Sequence, residues 1–362
     1  MLLKIEKIIS SGDGIGWLDG KTFFIPYSIP GELIEITACH KEKSYFKVTE
    51  FSIIEKSPFR RNPPCPNFTI CGGCSFLHIA YANQAEIKKK ILFELFKQKK
   101  TELLKEPGFV SIGEFNNRTR AKVSFLDNMP GFKKHGSNEH VPFQFCPLLH
   151  PELNNIIVDN RQKLKNEVQI EYSVSTKEWI PNQKKIIKTV LNQELVVSEG
   201  CFFQSSEKAA EALVTKLLHV IDKTSPSTML DLFCGIGLFS CFAAKAGVSV
   251  SGIEGSPFSA QCYKENLGAG CAIKQLDINK ISVFEKKDLI VIDPPRTGIE
   301  ATTVEAISKS KTNNIVYISC NPSTFIRDFI NFQKYGFAIN EISILDLFPA
   351  TNHFELFVHL CR

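Results

Sequence analysis

The chain has 362 residues, more than one domain usually holds, so two or three cores are expected. Hydrophobic residues make up 43% and charged residues 22%, and no apolar run approaches the roughly 18 residues of a membrane span. A soluble protein with no membrane partner is therefore expected. Glu6 interrupts the place where a signal peptide would be apolar, so a cytoplasmic location is expected. The formal net charge of +5 is unevenly spread: residues 58–200 carry 21 Lys or Arg against 14 Asp or Glu, whereas the flanks are near balance. Clusters at Arg60-Arg61, Lys88-Lys89-Lys90, Lys99-Lys100, Arg118/Arg120/Lys122 and Lys184-Lys185 suit a phosphate-binding surface.

In chain order, residues 1–57 read as short strands at Leu3–Glu6, Thr22–Ile25, Leu33–Thr37 and Tyr45–Val48, with turns at Gly12-Asp13-Gly14, Asp19-Gly20 and Pro30-Gly31. A small antiparallel β-barrel follows, a shape often used on oligonucleotides. A boundary is expected near Ser57-Pro58. Residues 83–104 have helical periodicity, with Ile87, Ile91, Leu92, Leu95 and Phe96 on one face and a capping arrangement of Asn83 with Glu86. From 108 to 200 mainly short strands are predicted. Beyond about 205, apolar strands at 229–233, 248–253, 289–292 and 315–318 alternate with helices. That pattern predicts a parallel sheet covered on both faces, the α/β class. Phe337–Leu345 and Phe354–Leu360 suggest an antiparallel hairpin at its edge.

Four motifs carry chemistry. Asp231-Leu232-Phe233-Cys234-Gly235-Ile236-Gly237 follows a strand and opens a helix, where glycines admit a ligand close to the backbone. Glu254 ends the next strand and can accept ribose hydroxyls, while Asp277, past the third, could hold an adenine amino group. Ser240 stands where a dinucleotide site would want a third glycine, so an adenosine ligand without phosphates fits better. Asp293-Pro294-Pro295-Arg296 ends the fourth strand and leaves the Asp293 carboxylate free for a planar amide such as a base edge. Ser319-Cys320-Asn321-Pro322 ends the fifth and aims Cys320 at the same crevice. A thiolate adding to carbon 6 of uracil makes carbon 5 able to take a methyl from a sulfonium. Glu355 is the candidate base for removing the carbon 5 proton. Finally Cys65, Cys71 and Cys74, with Cys146 as the chosen fourth, supply thiolates for an iron-sulfur cluster or zinc. Cys39, Cys201, Cys234, Cys241, Cys262, Cys271 and Cys361 read as small hydrophobes.

In this order the motifs resemble the RNA (uracil-5-)-methyltransferase family, especially its iron-sulfur members acting on 23S ribosomal RNA, over nearly the whole chain. The resemblance implies an N-terminal TRAM barrel (1–57), a central mainly β domain with a [4Fe-4S] cluster (58–200), and a Rossmann-like S-adenosylmethionine-dependent catalytic domain with an antiparallel edge hairpin (201–362). It implies cluster ligands Cys65, Cys71, Cys74 and Cys146, nucleophile Cys320 and base Glu355. Gln204 matches a Phe-x-Gln motif touching the cofactor, and Phe202 would stack on a flipped target base. Phe233, Gly235, Gly237, Glu254, Asp277 and Asp293 match cofactor or substrate contacts, and Arg118 and Arg120 fall in a basic strand that grips RNA. Leu238 replaces a common Asn and Ser205-Ser206 replaces Val-Asn. The expected reaction is methylation of carbon 5 of a uridine in 23S rRNA by a monomer, with transfer RNA as the alternative substrate. A non-catalytic RNA-binding iron-sulfur protein is a further alternative.

Overall fold

The computed structural model describes residues 1–268 and 270–362. Six strands, β1 (Leu2–Lys4), β2 (Lys7–Ile8), β3 (Gly14–Leu18), β4 (Lys21–Ile25), β5 (Leu33–Lys41) and β6 (Phe46–Glu55), form a sheet in the order β1-β5-β6-β4-β3-β2. The sheet curls on itself: the Glu6 amide donates to Ile15 O, and a Cβ on Gly16 would collide with Lys4 O and Leu3. Alternate residues fill the interior, among them Leu3, Phe23, Ile25, Ile34, Ile36 and Val48. β3 lies in a stretch between two turns that carried no strand expectation.

Next comes α1 (Tyr81–Gln98), whose buried face includes Ile87, Ile91, Leu92, Leu95 and Phe96. The expected cap is not formed. The helix starts after Ala80 with no side-chain cap, and Glu86 pairs instead with Lys90 one turn on. β7 is Gly108–Ser111. A five-stranded antiparallel sheet follows, from β8 (Arg120–Leu126), β9 (Met129–Lys133), β10 (His140–Pro142), β11 (Asn166–Tyr172) and β12 (Trp179–Ile180), in the order β10-β9-β8-β11-β12. Its apolar face is covered by α2 (Pro151–Asp159), a helix in a region expected to be strands. β13 (Lys185–Val190) and β14 (Gln193–Ser198) make a separate hairpin.

The remaining chain builds the large sheet: α3 (Glu207–Thr224), β15 (Thr228–Leu232), α4 (Leu238–Lys245), β16 (Ser249–Glu254), α5 (Pro257–Leu267), β17 (Ala272–Gln275), β18 (Leu289–Ile292), α6 (Ala301–Lys309), β19 (Asn314–Ser319), α7 (Pro322–Gln333), β20 (Ala338–Asp346) and β21 (Glu355–Cys361). The order is β17-β16-β15-β18-β19-β21-β20-β7, with β15 to β19 mutually parallel and β21 antiparallel to both neighbours. One face packs on α1, α6 and α7, the other on α3, α4 and the β13–β14 hairpin. The hairpin β20–β21 therefore does not end the sheet, as expected, because β7 pairs in parallel with β20 and becomes the edge. Gly108 permits this, since a Cβ there would lie 2.9 Å from Ser343 Oγ. Among the described residues no helix is long and apolar enough to cross a membrane.

Candidate active site

In a parallel sheet each strand's carboxyl end faces the same crevice, so residues just after apolar runs meet in space. Here those ends, the start of β21 and the cysteine segment line one cavity of about 1190 Å³. At the β15–α4 turn Phe233, Gly235 and Gly237 all have positive φ. Gly235 lines the cavity with nothing near its absent Cβ, so a ligand can approach its backbone. Gly237 serves packing, because a Cβ there would strike Leu267 and Tyr263. It is not among the residues that line the cavity.

Glu254 accepts the Gly235 amide at 2.9 Å through Oε2 and the Ser256 amide at 2.7 Å through Oε1. Each oxygen keeps a further lone pair for a ligand hydroxyl. Behind the turn Asp231 is fully buried, accepts from Ser240 Oγ at 2.7 Å, and is pushed up to about 7 by burial. Gln204 lines the cavity, and the Ser206 that replaces an Asn caps α3 by accepting from the Ala209 amide. Asp277 is the clearest departure: exposed and away from the cavity walls, it accepts from the Asn279 amide at 3.1 Å and caps a short 3-10 turn.

Cys320 lines the cavity at the end of β19, half-buried. Its turn is rigidly tied: Asn321 Oδ1 accepts from the Ser323 amide, capping α7, while Asn321 Nδ2 and Thr324 Oγ1 donate to Arg296 O at 3.2 and 3.3 Å. The loop after β18 is thereby fastened to the loop after β19. Burial, then the Glu355 carboxylate, push the Cys320 thiol up to about 11, and the Arg296 guanidinium opposes them. Glu355 opens β21 almost wholly buried, and burial followed by the charge of Asp293 holds its carboxyl well above the usual range, again against Arg296. Asp293 keeps a window on the cavity, yet burial pushes its carboxyl up to about 7. Arg296 had no assigned role in the sequence. Only the folded juxtaposition reveals it as the cation facing both reactive groups.

Phe202 stands on the cavity wall 63% exposed, with the Arg120 guanidinium 5.2 Å from its ring centroid. Arg120 also donates to Phe203 O at 3.0 Å and lies 3.6 Å from Glu171. It thus helps to hold the Phe202-Phe203 segment while lining the cavity. Arg118 also lines the cavity, and its charge partly opposes the rise that burial imposes on the thiols of Cys71, Cys74 and Cys146.

Cys65, Cys71, Cys74 and Cys146 line the outer part of the same cavity, each half-buried. Burial raises Cys71 and Cys146 and takes Cys74 to about 12, with smaller contributions from neighbouring thiols of the four. The segment is pinned by Gly72 N–H to Lys133 O, and Cys146 is held by paired hydrogen bonds with Asn154. The donor set suits soft-metal chemistry. Its spacing departs from expectation, however: among the described residues no three Cys, His, Asp or Glu side chains are arranged to hold a metal ion.

The family model described as tRNA (uracil-5-)-methyltransferase matches residues 258–362, and the TRAM-domain model of tRNA (uracil(54)-C(5))-methyltransferase matches residues 1–59. An uncharacterized RNA methyltransferase of Aquifex aeolicus is 28% identical over 98% of this chain and 96% of its own length. The 23S rRNA (uracil(1939)-C(5))-methyltransferase RlmD of Shewanella amazonensis is 26% identical over 98% of this chain and 94% of its own. In fold, the crystal structure of Pyrococcus abyssi tRNA (uracil-54, C5)-methyltransferase with S-adenosyl-L-homocysteine superposes with a TM-score of 0.80 at 23% identity, covering 99% of each chain. The motifs, the sheet and these likenesses agree, and over nearly its whole length the chain is similar to RNA (uracil-5-)-methyltransferases.

Proposed function

We propose that the protein transfers a methyl group from S-adenosylmethionine to carbon 5 of a uridine in RNA, through a covalent bond between Cys320 and carbon 6. The observation that carries this reading is the single cavity that Gly235, Glu254, Asp293, Cys320 and Glu355 share. At about 1190 Å³ it exceeds the upper end, roughly 1,000 Å³, of pockets built for one small ligand. Two reactants can meet in it. Glu254, with Oε1 and Oε2 each accepting from one backbone N–H, retains the acceptors that a ribose needs. When bound, S-adenosylmethionine supplies an electrophilic methyl on a positively charged sulfur.

The chain's own residues supply the rest. Cys320 adds as thiolate to carbon 6 of uracil, which places electron density on carbon 5 for the methyl. Asp293 faces the base edge. Glu355 takes the carbon 5 proton, and the electrons of that C–H bond restore the ring double bond as the Cys320–carbon 6 bond breaks. A carboxyl raised by burial is a stronger base once ionised than an ordinary one. Phe202, exposed and backed by Arg120, offers a ring face on which a base turned out of its stack can rest, at an unstacking cost of a few kcal/mol.

For the substrate we favour 23S rRNA, supported by full-length likeness to enzymes so named. Residues 1–57 would act as the RNA-binding barrel, 58–200 as the cysteine-bearing centre and 201–362 as the catalytic unit. The four cysteines would close on a [4Fe-4S] cluster that stiffens the centre. The test is transfer of labelled methyl to unmodified 23S rRNA, tRNA and DNA, followed by nucleoside analysis. Label in 5-methyluridine of rRNA alone supports the whole reading, and label in tRNA alone overturns the substrate choice. No label in any RNA overturns the reaction. Cys320→Ala is expected to abolish transfer and Glu355→Gln to leave a protein–RNA adduct that survives denaturant.

A further inference from the structure

Residues 347–354 join β20 to β21 and deliver Glu355 to the cavity, and buried polar contacts hold them from outside the sheet. Lys88, on α1, is fully buried. Its Nζ donates to Asp346 Oδ1 at 2.6 Å, to Phe348 O at 3.3 Å and to His353 O at 3.0 Å. Those acceptors bracket the loop at both ends. One helical turn earlier Gln84, also fully buried, accepts the Ala350 amide at 3.0 Å and donates to Phe76 O and Ile79 O. Ser75, next to Cys74, accepts the Asn352 amide at 2.8 Å through Oγ, and the Ser75 and Phe76 amides both donate to Ala350 O. Ala350 itself has φ +60°, a conformation a non-glycine residue keeps only where its surroundings impose it.

A buried ammonium loses its hydration and is tolerated only when all its donors are used. Lys88 has three donors and meets three acceptors, one of them the charged Asp346. An apolar side chain at this helix position would fill the space but take the Lys88 donor from His353 O and leave Phe348 O only the local Thr351 Oγ1 at 2.7 Å, so nothing on α1 would tie the two carbonyls together. We propose that Lys88 is a positioning residue of the reaction: it fixes the two ends of loop 347–354 and so holds Glu355 within reach of the carbon 5 proton. The proposal rests on the reading of Glu355 as the base.

Lys88→Met alone would leave Asp346 buried and unpaired and can unfold the protein. The test therefore uses Lys88→Met/Asp346→Asn, which removes both charges and still cuts the tie from α1 to the carbonyls of Phe348 and His353. Two measurements are made on the full chain. Amide hydrogen exchange over 347–356, with β15 to β19 as internal reference, is expected to quicken about tenfold or more in the double variant. In single turnover with target RNA, product release is expected to slow about tenfold or more and the Cys320–RNA adduct to persist, because a small misplacement of a reacting group costs rate steeply. Affinity for S-adenosylhomocysteine is expected to stay within about twofold.

Loop exchange at the wild-type rate overturns the proposal. So does a loosened loop with wild-type turnover and no lasting adduct, and so does a fall in cofactor affinity that matches the fall in turnover. A wild-type enzyme that methylates no RNA overturns the reading of Glu355 and this proposal together, whereas normal turnover of the double variant beside an active wild type overturns this proposal alone.

Discussion

Cys320 offers the sharpest quantitative test of the site's electrostatics. Its thiol is raised to about 11 by burial and by Glu355. In the free protein at pH 8 only about one molecule in a thousand then carries the thiolate, against about a quarter for an ordinary thiol near 8.5. Raising the pH from 8 to 9 should therefore speed alkylation of Cys320 about tenfold, where an unperturbed thiol would gain only about threefold. The assay is iodoacetamide labelling followed by peptide mass spectrometry, with exposed Cys39 as the internal reference. Because the causes have signs, two variants extend it. Glu355→Gln removes a charge that raises the thiol and should quicken alkylation above the pH where Glu355 ionises. Arg296→Met removes the charge that lowers it and should slow alkylation. A Cys320 that gains only threefold between pH 8 and 9, or variants that move together, would refute the assignment.

Three further outcomes follow from the same geometry. Glu254→Gln should weaken S-adenosylhomocysteine binding by about ten- to a hundredfold by calorimetry, since hydrogen bonds to a charged group contribute about 1.5–3 kcal/mol. A change below threefold would remove Glu254 from the site. Phe202→Ala should lower kcat/KM for RNA by roughly ten- to a hundredfold while cofactor affinity holds, because stacking a base on an aromatic ring is worth about 1–3 kcal/mol. Equal loss of both affinities would mean that Phe202 acts structurally. Cys74→Ser should strip iron and acid-labile sulfide from anaerobically purified protein and lower its Tm, whereas wild-type protein without iron would end the cluster proposal.

What the sequence made legible was governed by strand ends. In parallel βαβ units the position after an apolar run is also a position in space, so Gly235, Glu254, Asp293 and Cys320 could be assembled from spacing alone. Asp277 misled because β17 is a short, exposed outer strand, and the carboxylate after it turns back to cap Asn279. Arg118 and Arg120 do reach the cavity wall, but the contacts of Arg120 with Phe202, Phe203 and Glu171 are non-local and could not be read from charge on a strand. Lys88 was hidden as one of three consecutive lysines. Its burial depends on a partner 258 residues away, which no local pattern encodes. The parallel addition of β7 to β20 is equally non-local, and α2 is too short, and too marked by its initial Pro151, for periodicity to show.

The free protein holds protons where the reaction needs anions: Asp293 stands near 7, Glu355 well above the carboxylate range and Cys320 near 11. Arg296 is the cation that opposes this at both Cys320 and Glu355. A positive charge entering the cavity must lower all three, so it should displace protons. At pH 7 Asp293 is about half protonated, and binding of the sulfonium-bearing S-adenosylmethionine should release up to about half a proton from it. S-adenosylhomocysteine has the same groups with a neutral sulfur and should release markedly less. Calorimetric titration in two buffers of different ionisation enthalpy counts the protons. The share of that difference due to Asp293 should vanish toward pH 9, where Asp293 is already ionised, and at pH 7 the difference should fall in Asp293→Asn. Equal proton counts for the two ligands at pH 7 would mean that the sulfur does not sit near these carboxyls, and the methyl could not then be delivered beside Cys320.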